Sequence, residues 1–216
     1  MAVPLDAIRA FHNAFRKDLA SMDAAAHAAA RGQGSVDLVL KRYSFFNEML
    51  AWHARGEEDH VFIAMERVAP LVAEAYDRDH RGLDYLSDQL AEAAKSRDTL
   101  QILHATTAFN YFSTFHLNKE EAHLYRIFND RIPLPEQGTI ISAISQKIPP
   151  ERFPEVVMWL FPLIRIDDRE NMVRLFKQVM PPPQFDMATR LIREAIGDDW
   201  VDLARRVPEL GQPISP

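Results

Sequence analysis

The chain has 216 residues, 25 of them basic and 31 acidic, for a net charge of −6, and it contains no cysteine. That length supports one ordinary domain with a substantial core, or a compact domain carrying an extension, and the acidic balance argues against nucleic acid or an anionic membrane as partner. Without thiols there are no disulfides, thiolate zinc sites, Cys-ligated iron–sulfur clusters or thiol nucleophiles, so any metal must be held by His and carboxylate.

All eight histidines precede residue 124, whereas twelve of the fourteen prolines follow residue 132. This asymmetry divides the chain at about residues 132/133. Residues 1–132 read as four long helices, because apolar residues recur at three- and four-residue intervals while Gly and Pro are scarce. The first runs from Leu5 to Ala30 with Ile8, Phe11, Phe15 and Leu19 striped around His12, and stops at Arg31-Gly32-Gln33-Gly34. Ser35 caps the second, Val36 to Val68, which carries Phe46, Leu50, His53, Glu57, Val61 and Ala64 along one side before Pro70. The third, Tyr76 to Lys95, sets His80 among Leu83, Leu86 and Leu90. The fourth, Thr99 to Phe128, aligns Phe109, Phe112, His116, Glu120, His123 and Ile127 ahead of Pro133 and Pro135. Short connections favour an all-α, antiparallel up-down-up-down four-helix bundle.

Residues 133–216 stay apolar but are cut by proline into short helices, Phe153 to Ile164, Arg169 to Met180 and Phe185 to Ile196. Phe153, Val157, Leu160, Phe161, Leu163 and Ile164 are too costly to leave in water, so this extension is expected to pack on the bundle or on the second subunit of a homodimer. The amino terminus lacks an apolar signal core and no stretch has the apolar length of a membrane span, so a cytoplasmic protein is expected.

The segment His53-Ala54-Arg55-Gly56-Glu57 recurs as His116-Leu117-Asn118-Lys119-Glu120, and both copies continue alike, to Glu58 and His60 in the first and to Glu121 and His123 in the second. Four residues turn an α-helix by roughly 400°, which stacks imidazole and carboxylate on one face about 6 Å apart. With His12 and His80 from the other two helices, the set offers four imidazoles and two carboxylates to a pair of first-row metals, each Glu able to bridge both. Nitrogen and oxygen ligands without sulfur point to iron or manganese before zinc, and so few ligands leave positions open for dioxygen, peroxide or nitric oxide.

This ordered set, His12, His53…Glu57, His80 and His116…Glu120, resembles the hemerythrin-like (HHE cation-binding) family over roughly residues 5 to 130, with Glu57 to Phe62 and Glu120 to Tyr125 resembling its carboxylate–aromatic continuation. The resemblance implies a non-haem di-iron centre, oxo- or hydroxo-bridged in some members, with roles from oxygen or iron sensing to peroxide breakdown. It implies His12 and His53 as terminal ligands of one iron, His80 and His116 of the other, and Glu57 and Glu120 as bridges. Helix three lacks a second His three or four residues after His80, a departure from the invertebrate oxygen carriers that makes the site more open. The stretch Ile148 to Met180, with Pro149-Pro150 and Trp159-Leu160, also resembles helices that follow hemerythrin-like domains in plant iron-sensing ubiquitin ligases.

Two further readings compete. Glu57 with His60, and Glu120 with His123, each form the ExxH motif of ferritin-like bundles, although helices one and three supply His where that fold needs Glu. The same centre could also serve an enzyme, a di-iron oxidase or oxygenase or a peroxide-disproportionating protein. His60 and His123 are expected at the edge of the centre, hydrogen-bonded to carboxylates, and Glu58, Glu121 and Asp79, turned away from the ligand face, in solvated or supporting roles. Phe109, Phe112 and Phe115, with Tyr111 and Tyr125, are expected in the core. His27 and His104 lie too far along their helices to take part.

Overall fold

A computed structural model describes residues 2–211. The described residues are almost entirely helical and form no strand, and no helix among them is long and apolar enough to cross a membrane. They separate into two compact units, one of residues 15–133 and one of residues 1–14 with 134–216. Helix α1, Leu5–Ala30, is unbroken and contributes its first turns to the second unit and the remainder to the first.

Residues 15–133 contain the rest of α1, then α2 (Val36–Gly56), α3 (Phe62–Val68), α4 (Val72–Ser96), α5 (Thr99–Lys119) and α6 (Tyr125–Arg131). The helix starts follow local chemistry. The Ser35 hydroxyl accepts from the Asp37 amide, and the Asp98 carboxylate accepts from the amides of Leu100 and Gln101, caps worth about 1 kcal/mol each. Gly32 at φ 71° ends α1, with its amide on the Ala29 carbonyl and that of Gln33 on Ala28, as the Gly-rich break predicts. Leu71 and Arg97 take left-handed conformations at the turns into and out of α4. Strain at Leu71, about 1–2 kcal/mol for a non-glycine residue, is offset by the Glu66 carboxylate accepting its amide.

The core beneath the histidines is aromatic. Phe15 of α1 packs edge-on against Phe46 of α2 with centroids 5.4 Å apart, and Phe46 and Tyr43 both meet Phe109 of α5 at 5.9 Å. Gly82 of α4 sits directly under the Phe112 ring, where a Cβ would come within 2.9 Å of Cζ, so a side chain there would require the half-buried ring to shift. The expectation of a wholly buried aromatic stripe on α5 fails in part: Tyr111 and Phe115 are exposed, because they lie on the opposite side of α5 from Phe109.

The second and fourth predicted helices are each interrupted where the sequence pattern reads straight through. Glu57–Val61 and Glu120–Leu124 are π-helical turns, in which the amides of Phe62 and Tyr125 bond five residues back to the carbonyls of Glu57 and Glu120. A π turn holds an extra residue per turn and so delays the buried face. On the second copy that shift buries Leu124 and Phe128 in place of the expected His123 and Ile127.

In the other unit, α7 (Leu134–Ser145), α8 (Phe153–Leu163), α9 (Ile166–Val179), α10 (Pro182–Ile196) and α11 (Trp200–Arg206) join the first turns of α1. Ala10 and Ala14 pack with Val157, Leu160, Phe161, Val173, Ile192 and Leu203 in one apolar cluster. Three of these helices match the predicted segments to within a turn. Helices α7 and α11 were not anticipated: Pro135 reads as a stop, yet it occupies the first turn of α7, where proline's missing amide costs nothing.

Candidate metal centre

Four of the predicted ligands converge within residues 15–133. One ligand atom each from Glu57, His80, His116 and Glu120 lies within 4.8 Å of the others, and all four side chains are buried. Helices α2 and α5 deliver the two glutamates at the first residue of each π turn, and α4 delivers His80 between them.

Glu57 faces two imidazoles from two helices. Its Oε1 lies 3.3 Å from His53 Nε2 and its Oε2 lies 3.4 Å from His80 Nε2. Glu120 Oε1 is 3.1 Å from His116 Nε2 and 3.9 Å from His80 Nε2. The rings of His80 and His116 meet edge to face at 5.0 Å, and Phe15 and Phe62 wall off His53 and His80 at 5.4 and 5.2 Å. His12 is fully buried on α1, three residues before Phe15 on the same unbroken helix.

Each central imidazole is backed on its far nitrogen. His80 Nδ1 donates to Glu58 Oε1 at 2.8 Å, and His116 Nδ1 faces Asp79 Oδ2 at 3.4 Å, with Lys119 Nζ on the same Asp79 oxygen at 2.6 Å. These contacts fix the tautomers and aim both Nε2 atoms inward. Tyr125, on the residue after the second π turn, donates its phenol to Glu57 Oε1 at 2.5 Å from a fully buried position. Burial, with Glu57 and Glu120 close by, pushes that phenol well above its ordinary value, so it remains a donor.

Electrostatics make the charge of the cluster explicit. Burial alone lowers the pKa of His80, but the carboxylates of Glu120, Glu57 and Glu58 overcome it and push the imidazole up to about 12. His116 is opposed by burial and raised by Glu120. Protons thus stand where a cation would neutralise the two carboxylates. Glu57 Oε2 is nevertheless buried without a hydrogen bond, an omission that costs about 1–3 kcal/mol or more for a charged group. A cation bound by Nε2 and carboxylate oxygens would remove that deficit, and the nitrogen–oxygen donor set suits iron.

The remaining candidates sit around this core. Glu121, the counterpart of Glu58, turns outward to an ion pair with Arg16 at 2.9 Å. His123 is exposed, stacked on Tyr76 and hydrogen-bonded through Nδ1 to its hydroxyl at 2.9 Å. His60 is half-buried. Neither histidine belongs to a grouping of His and carboxylate close enough to share an ion among the described residues, a placement the π turns explain. Asp79 takes the supporting role expected of it, behind His116. Sequence reasoning missed the role of Tyr125, whose position five residues after Glu120 carries a signal only once the π turn is known.

The model of the hemerythrin HHE cation binding domain matches residues 3–98. Over those residues the chain is similar to hemerythrin HHE domains. That match ends before α5, so His116 and Glu120 of this hemerythrin-like chain enter the centre on geometry rather than on the family model. The zinc finger protein BRUTUS of Arabidopsis thaliana is 25% identical over 179 residues, covering 79% of this chain and 14% of that protein. A BRUTUS-like zinc finger protein of the same plant is 21% identical over 201 residues, covering 84% of the chain and 16% of that protein. Both alignments are too long to fit within the first 133 residues and therefore include part of the C-terminal helices. The chain spans about one-seventh of the length of the curated relatives it matches. No solved structure matches it.

Proposed function

We propose that this hemerythrin-like chain binds a pair of iron ions and, through them, dioxygen or a related small ligand such as peroxide or nitric oxide, as a sensor of oxygen or iron. The observation that carries the reading is the convergence of Glu57, His80, His116 and Glu120, with Glu57 presenting one oxygen to His53 and the other to His80. In this reading α1, α2–α3, α4 and α5–α6 form an up-down-up-down bundle. His12, His53, His80 and His116 would supply the imidazoles that hold the ions, and Glu57 and Glu120 the carboxylates shared between them. When bound, the pair supplies redox chemistry and open coordination positions.

The chain's own residues perform the rest. Glu58 and Asp79 orient the imidazoles, Tyr125 anchors Glu57 by a hydrogen bond that survives a change in the charge opposite it, and Phe15 and Phe62 keep bulk water from the histidines. Loss of the ions would return two buried carboxylates to partial compensation by protons, loosening the helices that carry them. That coupling of occupancy to stability is what a sensor requires. The enzyme reading needs an apolar channel for an organic substrate, whereas the cleft that reaches His80 sets Glu58, Asp84, Asp88 and Asn47 between its apolar walls of Leu50, Ala51, Ala54 and Leu83.

Metal analysis of the purified protein tests the proposal. Two irons per wild-type chain are expected, and their loss in the variant combining His53→Ala with His116→Ala. Two irons retained in that variant would reject the ligand assignment. Turnover of peroxide or an organic substrate by the loaded protein would move the function from sensing to catalysis.

A further inference from the structure

A cleft of about 410 Å³ opens between α2 and α4 and ends on His80. Its walls are Leu50, Ala51 and Ala54 of α2 and Leu83 of α4, the two alanines leaving the seam wide enough to admit solvent. One end is closed by a polar chain in which the Tyr43 hydroxyl meets Ser87 Oγ at 2.5 Å and Ser87 Oγ donates to Asn47 Oδ1 at 2.9 Å.

The acidic side chains along this cleft form a series. Asp84 and Asp88 follow His80 on α4 by four and eight residues, so the three lie on one face, separated by about 6 Å per step. Both aspartates are exposed, and neither makes an ion pair among the described residues, whereas Asp77 and Glu74 on the same helix pair with Arg81 and Arg78. Glu58 comes next: its carboxylate is 40% exposed yet already bonded to His80 Nδ1 at 2.8 Å. Behind the imidazole lies Glu57 Oε2, buried without a hydrogen bond and 3.4 Å from His80 Nε2. The series therefore runs from unpaired carboxylates at the surface to an unsatisfied carboxylate oxygen in the interior.

Resting on the reading that the buried His and Glu side chains bind iron, we propose that this cleft is the loading route for the divalent cation: Asp84 and Asp88 collect the hydrated ion, and Glu58 swings it from the cleft to His80 and Glu57. Carboxylates one turn apart replace the waters of a divalent cation one or two at a time. A low-dielectric cleft lined by one sign of charge also concentrates the opposite ion and raises its entry rate by a factor of ten to a thousand, roughly, at low salt. A route for dioxygen would need none of these charges.

Anaerobic stopped-flow mixing of ferrous iron with the metal-free full chain tests the route, after equilibrium loading of the wild type has been measured. The variant combining Asp84→Asn with Asp88→Asn keeps side-chain size and is expected to fill about tenfold more slowly at low ionic strength, yet to reach the wild-type number of irons. Added salt should slow the wild type toward the variant's rate. Glu58→Gln should slow filling further, because the ion loses its last carboxylate before His80. Filling of the double variant at the wild-type rate, or a wild-type rate indifferent to salt, would overturn the route. A double variant that never reaches wild-type loading would also overturn it, by placing the aspartates in the centre itself. A wild type that takes up no iron at equilibrium sinks the metal-centre reading and the route together, whereas full loading at unchanged rates sinks the route alone.

Discussion

The two copies of the repeat share sequence, backbone and even the π turn, yet their surroundings differ. In the first copy Glu58 turns inward to His80 and lines an open cleft, while in the second its counterpart Glu121 turns outward to Arg16 and closes the surface with an ion pair. Likewise Glu57 accepts from the Tyr125 phenol in the first copy, and in the second His116 is backed by Asp79, whose oxygen also accepts from Lys119. A duplicated motif thus supplies a near-symmetric ligand set with one side built for access and the other for closure.

The comparison breaks most completely if both copies lose their histidines. His53→Ala with His116→Ala should abolish tight iron binding. The thermal midpoint of the iron-saturated protein should fall by about 10 °C, since ligand at a thousandfold excess over its Kd contributes about 4 kcal/mol and each kcal/mol is worth about 2–4 °C at this size. Differential scanning calorimetry with and without chelator reads both effects.

The next effect separates the two glutamate anchors. Tyr125→Phe leaves a buried carboxylate oxygen short of its donor and should cost about 1.5–3 kcal/mol in urea denaturation of the metal-free protein, whereas Arg16→Gln, on the second copy's half-buried ion pair, should cost about 1 kcal/mol. Equal losses would mean that the phenol does not hold Glu57.

Glu58 and Glu121 offer the sharpest contrast in a single substitution. Glu58→Gln should weaken iron affinity by about tenfold, as loss of a carboxylate behind a ligating imidazole does, while Glu121→Gln leaves it unchanged within twofold. Competition against a metal-binding dye measures both.

A smaller, graded effect is the pH dependence. His80 in the metal-free protein is raised to about 12, so the stability it contributes is complete below the ordinary histidine value near 6.5 and is lost as pH rises through the folded value. Iron must displace that proton. Loading near pH 7.5 should therefore release protons in a weakly buffered indicator assay, and affinity should fall as pH falls.

How much of this was legible in the sequence depended on periodicity. The HxxxE repeat and the long helices were readable because a ligand pair four residues apart and an apolar stripe follow the same 3.6-residue period. The π turns were not, since the residues across them fit an α-helical pattern equally well, and that one-residue delay displaced His123 and buried Leu124. Tyr125 and the face joining His80, Asp84 and Asp88 were missed for a related reason. A tyrosine five residues past a ligand belongs to no α-helical face, and acidic residues on a helix ordinarily face water. In the C-terminal unit, proline was read as a terminator where Pro135 opens α7.

Iron K-edge X-ray absorption of the loaded protein tests the central claim most directly. A nitrogen–oxygen first shell with an iron scatterer at roughly 3.5–4 Å is the expected result, the spacing of paired-metal sites. An isolated ion with no second iron in range, or iron held outside a histidine shell, would contradict it.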